Sequence, residues 1–188
     1  MDVNMGDLST FTNALDQMGF YGASATNPND MRNNCVSVSV CRLLGYNNVH
    51  DLWRATHGYD LPDQPLTEAG IVDLFSRAGW TFQWQRFRQE TNLSAYQVML
   101  RDIVIRFTTL RVVLYIRANG SGHAVNAVFS NLLGEGPQLL RLVDWQSHHM
   151  GAPVVGDLEG AVNITTLDLN WPTSVQSMTS LLQRYAQV

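Results

Sequence analysis

Lysine is absent from this chain, and all 12 basic side chains among its 188 residues are arginines. Lysine is one of the commoner residues in average proteins, so its absence requires a cause. One cause is a genome biased toward arginine codons. The other is selection against ubiquitination, which takes place on lysine and would shorten the lifetime of a foreign protein in a eukaryotic cytosol. The sequence alone leaves both causes open.

The chain also lacks an excess of basic residues and a long apolar run. Its 16 acidic and 12 basic side chains give a net charge of −4 and a pI near 5.6. No basic face is therefore expected for nucleic acid or anionic lipid. No apolar run approaches the roughly 20 residues that cross a bilayer, and the first residues show no basic start followed by an apolar segment. We expect no nucleic-acid partner, no membrane span and no Sec-type signal in this sequence.

Cysteine is scarce, and the two cysteines are not placed to pair. Cys35 and Cys41 would lie about 9 Å apart along a helix, which exceeds the Cα separation of a disulfide. Two free thiols suit a reducing compartment. The adjacent His148 and His149 would point in different directions, and no Cys, His or Asp spacing resembles a zinc site. We expect no metal and no cofactor.

Length and composition fit one domain. A chain of 188 residues that is 45% apolar can bury a sizeable core but is too short for two full-sized domains. We expect a single domain over residues 1–188 that acts as a monomer. Helical periodicity and caps predict helices at residues 8–18, 35–44, 48–56, 67–78, 94–107 and 173–186. Alternation predicts strands at residues 82–85, 111–118, 123–130, 138–145 and 161–169. Helices ahead of an antiparallel meander indicate an α+β fold.

The segment that begins at Cys35 is ambiguous, because Val36, Val38 and Val40 alternate as they would in a strand. Asn34 as an N-cap and Gly45 just beyond the last turn favour a buried helix. A thiol is a poor nucleophile unless its pKa is lowered, and a helix N-terminus beside an imidazole lowers it. Cys35 would occupy such a position. The alternative is a small buried hydrophobe, the usual role of a free cysteine, and Cys41 fits that role better.

Two further residues stand at the edges of predicted strands. His123 follows a Gly-rich turn, and Gly122 before it leaves room for a substrate or another backbone. Asp144 ends a run of apolar residues. Each residue has a structural alternative, since histidine is common at a strand start and an acid at a strand end is often a turn former. Together with Cys35 they have the chain order of a nucleophile, its base and an orienting acid.

These motifs resemble the papain-like cysteine peptidase fold, most closely the papain-fold toxin domains of bacterial polymorphic toxins and secreted effectors. The matching segments are Asn34-Cys35 before an apolar helix, Gly122-His123 on a strand, and Asp144-Trp145-Gln146; the likeness covers residues 33–146. It implies N-terminal helices, with the nucleophile at a helix start, packed on a C-terminal antiparallel sheet carrying His and Asp. Cys35 would be the nucleophile, His123 the general base and acid, and Asp144 the orienter.

The oxyanion donor departs from the family pattern. Papain-type enzymes have a glutamine several residues before the nucleophile, whereas asparagines precede Cys35 here and the nearest upstream glutamine is Gln17. We expect the donor to be the Cys35 backbone N–H together with an amide of Asn34 or Asn29. Gln146, which ends the Asp-x-Gln motif, is a further candidate for oxyanion or substrate binding.

The resemblance implies a cysteine-dependent amide hydrolase that forms a thioacyl-enzyme. Such machinery either cleaves a peptide bond or deamidates a glutamine side chain, and the sequence does not choose between them. With the missing lysines, it favours a toxin or virulence effector, translocated without a Sec-type signal, that modifies a protein in the cytosol of a target cell. The alternatives are a non-catalytic binding module of the same fold and a housekeeping hydrolase of amides or peptidoglycan peptides.

Overall fold

The computed structural model describes residues 27, 31–46, 48–105, 109–117, 119–130, 138–146, 149–150 and 152–169. Within them the helices are α1 (Cys35–Leu43), α2 (Val49–His57), α3 (Glu68–Arg77), α4 (Ala95–Asp102) and α5 (Ala152–Glu159). The strands are β1 (Phe82–Arg88), β2 (Thr109–Ile116), β3 (Gly122–Ser130), β4 (Gln138–Asp144), β5 (His149–Met150) and β6 (Asn163–Leu169). The predicted α+β class, with helices at the N-terminal side of an antiparallel sheet, is confirmed.

The strands form one antiparallel sheet in the order β1-β6-β2-β3-β4-β5. The predicted meander of β2, β3 and β4 is confirmed, and Tyr115 of β2 lies opposite His123 of β3. The position of β6 was not predicted: this late strand inserts between β1 and β2, with Ile164 opposite Tyr115. As a result β2 and β3 are central strands with neighbours on both sides.

Both faces of the sheet are buried, which fixes the central strands firmly. Alternate residues of a strand point to opposite faces, so Val112 packs with helices α1 to α3 and Val113 packs with α4 and α5. On β3 the same alternation places Ala124 in the first core and Val125 in the second. All four side chains are buried. A histidine at the start of β3 is therefore attached to one of the most constrained parts of the molecule.

Two helix predictions differ from the structure. The helix predicted at residues 94–107 begins as expected, with a capping box between Ser94 and Gln97, but it ends at Asp102. Ile103 is already extended, with ψ of 120°, because the β-branched run of residues 103–105 disfavours helix. Helix α5 was not predicted at all. The helices predicted at residues 8–18 and 173–186 lie outside the described residues.

Candidate active site

Helix α1 positions the first candidate residue. The strand-like alternation of its valines does not prevent a helix, because every position from Ser37 to Leu43 is buried and apolar side chains are needed on several sides. Gly45 ends the helix with a φ of 78°, the left-handed conformation that favours glycine. Cys35 is half-buried at the start of α1, whereas Cys41 is fully buried; both are free thiols, as predicted. Burial raises the pKa of the Cys41 thiol, which therefore stays protonated.

The structure brings His123 and Asp144 into direct contact. His123 lies at the start of β3 and Asp144 at the end of the neighbouring strand β4. His123 Nε2 lies 2.7 Å from Asp144 Oδ2, and both side chains are buried, with relative exposures of 6% and 4%. A second oxygen of the acid, Oδ1, accepts a hydrogen bond from the backbone N–H of Gln146 at 2.9 Å. The carboxylate is thus held on both oxygens.

Cys35 is the second partner of the imidazole. Burial alone would lower the pKa of His123, but its hydrogen bonds to Asp144 and to Cys35, with the charges of both groups, outweigh burial and raise that pKa from 6.5 to about 9. The imidazole is therefore held as the cation at neutral pH. A thiol, an imidazole and a carboxylate from distant parts of the chain therefore form one contiguous hydrogen-bonded group.

The candidate oxyanion residues form a chain of amide contacts. Gln146 Nε2 donates to Asn34 Oδ1 at 2.9 Å, and Asn34 Nδ2 donates to Asn27 Oδ1 at the same distance. Asn34 occupies the N-cap position of α1, as predicted, but its side chain does not cap the helix. The expected capping hydrogen bond is therefore wrong, because both ends of the Asn34 amide are engaged elsewhere. Asn29, the remaining candidate, lies outside the described residues.

Side chains that the sequence analysis did not single out tie α1 to the strands of the site. Asn126 of β3 donates to the backbone oxygen of Ser39 in α1 at 3.1 Å. The guanidinium of Arg42 lies 4.5 Å from the ring centre of Trp145, the residue after Asp144. Arg42 and Trp145 are both 1% exposed, so this cation–π contact is fully desolvated. The single charged residue within this helix was the one local signal of such a contact.

Tyr115 connects the imidazole to a second group of polar side chains. The Tyr115 ring meets the His123 ring edge to face, with centroids 5.6 Å apart. Its hydroxyl donates to Asp157 Oδ2 of α5 at 3.3 Å, and Arg117 Nε donates to the same oxygen at 2.8 Å. Sequence reasoning missed this group, because its acid comes from the helix that was not predicted. The contacts connect the imidazole to α5.

Other features of the described residues lie apart from this site. His57 stacks on Trp53 with ring centres 4.3 Å apart, and its Nε2 lies 3.2 Å from Asp73 Oδ2. A pocket of about 500 Å³ is lined by residues 85–90 of β1 and its following loop, and by Val98 and Asp102 of α4, far across the sheet from His123. Across the ranges given above, no three His, Cys, Asp or Glu residues are grouped to hold a metal ion. Nor is any helix in those ranges long and apolar enough to cross a bilayer.

No family model, curated protein or solved structure matches the chain. A functional assignment must therefore come from the chemistry of the site. The chemically distinctive part of that site is the group formed by Cys35, His123 and Asp144. Its three members have complementary roles as thiol, imidazole and carboxylate.

Proposed function

We propose that this protein is a papain-like, cysteine-dependent amide hydrolase with Cys35 as nucleophile, His123 as general base and acid, and Asp144 as the orienting group. One observation carries the proposal: His123 is held between Asp144, at 2.7 Å, and Cys35 at the start of a helix. A buried carboxylate on one side of an imidazole and a thiol on the other is the arrangement of an activated cysteine nucleophile. Cys35 is not fully buried, unlike Cys41.

The reaction follows from the roles of the three groups. The Cys35 sulfur attacks the carbonyl carbon of an amide, and the carbonyl electron pair moves onto the oxygen. His123 then gives its proton to the leaving nitrogen, which departs as an amine or as ammonia, and a thioester remains. Water attacks the thioester while His123 takes one of its protons, and the sulfur leaves. The products are a carboxylic acid and the amine, and the enzyme is restored.

The start of α1 supplies candidate donors for the oxyanion. Backbone N–H groups of the first helical turn have no partner within the helix, and the side chain of Asn34 does not cap them. Among the residues that the structure describes, these N–H groups are the candidate donors beside the Cys35 sulfur, where the negative oxygen would form. Removing one such donor typically lowers the rate by a hundredfold or more.

The proposed setting is the cytosol of a target cell, where the protein would act as a toxin or effector on another protein. Two observations support this part: the short motifs shared with papain-fold toxin domains, and the absence of lysine from all 188 residues. Glutamine deamidation and proteolysis use the same three groups. Intact-mass spectrometry of candidate substrate proteins separates them, since deamidation adds about one dalton and proteolysis yields fragments.

The catalytic assignment can be tested without knowing the substrate. Iodoacetamide at about pH 6 alkylates a thiolate stabilised by an imidazolium, whereas an ordinary thiol is almost wholly protonated there. We expect Cys35 to react quickly in the natural protein and at least about tenfold more slowly in His123→Ala. Peptide mapping assigns the modified cysteine, and the buried Cys41 serves as the internal control. Equal rates in both proteins would refute the proposed function and leave the non-catalytic module as the better account.

A further inference from the structure

The amide contacts beside the triad form a continuous path between the two halves of the site. Gln146 belongs to the turn after Asp144, and its backbone N–H and its side chain point to different partners: Asp144 Oδ1 and Asn34 Oδ1, each at 2.9 Å. Asn34 immediately precedes Cys35. The path therefore connects the carboxylate that orients the imidazole with the residue that immediately precedes the nucleophile's helix.

The path continues to a residue that no catalytic expectation included. Asn34 Nδ2 donates to Asn27 Oδ1 at 2.9 Å, and Asn27 Nδ2 donates to the backbone oxygen of Met31 at 2.9 Å. Asn27 and Asn34 are 2% and 1% exposed. Buried side-chain amides are almost always hydrogen-bonded, so removing one partner leaves a buried polar group unsatisfied.

Asn34 gives up a favourable local interaction to take part in this path. Asparagine at an N-cap normally accepts a hydrogen bond from the second or third N–H of its helix, as Asn48 does from His50 at the start of α2. The Asn34 side chain makes no such bond. Its oxygen accepts instead from a residue 112 positions later in the chain. The long-range contact has replaced the local one, which indicates a role in joining the two segments.

We propose that Asn27, Asn34 and Gln146 act as a positioning relay that holds Cys35 at hydrogen-bonding distance from His123. The inference rests on the proposed function and deepens it. The sequence predicted that Asn34 and Gln146 bind the oxyanion or the substrate, but their amide nitrogens donate to Asn27 and to Asn34 instead. The relay therefore acts on the position of Cys35 and not on the reacting atoms. The relay residues fix the start of α1 relative to the turn that carries Asp144, and a displacement of about 1 Å at a reacting group is enough to lower a rate strongly.

The relay can be broken at either end without touching the triad. Gln146→Met keeps the length of the side chain and the backbone N–H to Asp144, but it removes the donor to Asn34. Asn27→Ala removes the acceptor at the other end. Each change should lower the rate of Cys35 alkylation by iodoacetamide at about pH 6 roughly tenfold and move the rise of that rate to higher pH. The double variant should be no slower than the worse single variant, because one path is broken once.

Asn48→Ala is the matched control. It also removes one asparagine side-chain hydrogen bond, at the start of another helix, and should leave Cys35 reactivity unchanged while costing similar stability. If the buried Asn27→Ala variant does not fold, Gln146→Met decides the question alone, since Gln146 is only partly buried.

The possible outcomes separate the two proposals. A fast-reacting natural protein together with relay variants of unchanged rate and pH profile would overturn the relay and leave the catalytic assignment standing. Additive effects in the double variant would also overturn it. A natural protein that reacts no faster than His123→Ala would overturn both.

Discussion

The charged state of His123 should appear in the stability of the protein. Its pKa rises from 6.5 to about 9 on folding, because hydrogen bonds to Asp144 and Cys35 outweigh burial. One pKa unit corresponds to about 1.36 kcal/mol, so the cation contributes on the order of 3 kcal/mol to the free energy of unfolding. A group whose pKa is raised in the folded state binds its proton more tightly there. The contribution is therefore complete below about pH 6.5 and is lost as the pH rises through about 9.

Urea unfolding of the natural protein and of His123→Gln, each between about pH 6 and pH 10, measures this contribution. The difference in unfolding free energy between the two proteins should shrink by about 3 kcal/mol over that range, which is about 10 °C in melting temperature for a chain of this length. Groups that do not contact His123 titrate equally in both proteins and cancel, so the difference reports on the imidazole and the two groups bonded to it, Asp144 and Cys35.

A difference that stays constant from about pH 6 to pH 10 would refute the reasoning. It would mean that the imidazole is not held as the cation between Asp144 and Cys35. If the difference in unfolding free energy instead grows with pH, the effect has the opposite sign. That result is expected for a His123 that is buried as the neutral base, with a lowered pKa.

Three further predictions concern the roles of individual residues. Cys35→Ala should abolish alkylation and hydrolysis and leave the melting curve unchanged. Cys41→Ala loses a buried sulfur that donates to a backbone oxygen, so it should lower the free energy of unfolding by about 1 kcal/mol and stay active. If Cys41→Ala instead loses activity and Cys35→Ala keeps it, Cys35 is not the nucleophile. Asp144→Asn should retain more Cys35 reactivity than His123→Ala, because the acid orients the imidazole while the imidazole holds the proton. The rate of Cys35 alkylation measures this, and a lower rate in Asp144→Asn than in His123→Ala would contradict it. Arg88→Lys, at an exposed position of β1, should shorten the half-life of the protein in eukaryotic cells and leave its activity unchanged. A pulse-chase experiment with and without proteasome inhibitor measures the half-life, and identical decay of the two proteins would favour codon bias.

Local signals in the sequence predicted much of the fold. Thr67 and Ser94 were placed correctly at helix starts, where their hydroxyls accept backbone hydrogen bonds, and Gly45 was placed correctly beyond the end of α1. Caps depend on residues a few positions apart, so they can be inferred from sequence. The end of α4 was overestimated, because helical spacing continued into residues whose β-branched side chains prefer extended backbone.

Long-range contacts were the part that sequence could not provide. Asn34 was placed at the correct helix start, but its actual partner, Gln146, is 112 residues away, and no local pattern identifies it. The place of β6 beside β2 is of the same kind, since strand order depends on which faces the helices cover. The chemical types and chain order of Cys35, His123 and Asp144 were visible in the sequence, whereas the hydrogen bonds among them depend on the sheet.

The buried contact between Arg42 and Trp145 bears on the missing lysines. A planar guanidinium can lie flat on an indole in a dry interior, whereas the compact, strongly hydrated ammonium of lysine would have to give up its water without matching that geometry. At this position arginine is required by packing, whatever the codon usage of the genome or the turnover of the protein. Selection against lysine can therefore be detected only at exposed arginines, where a lysine would be physically equivalent, and the arginine at position 42 carries no information about it.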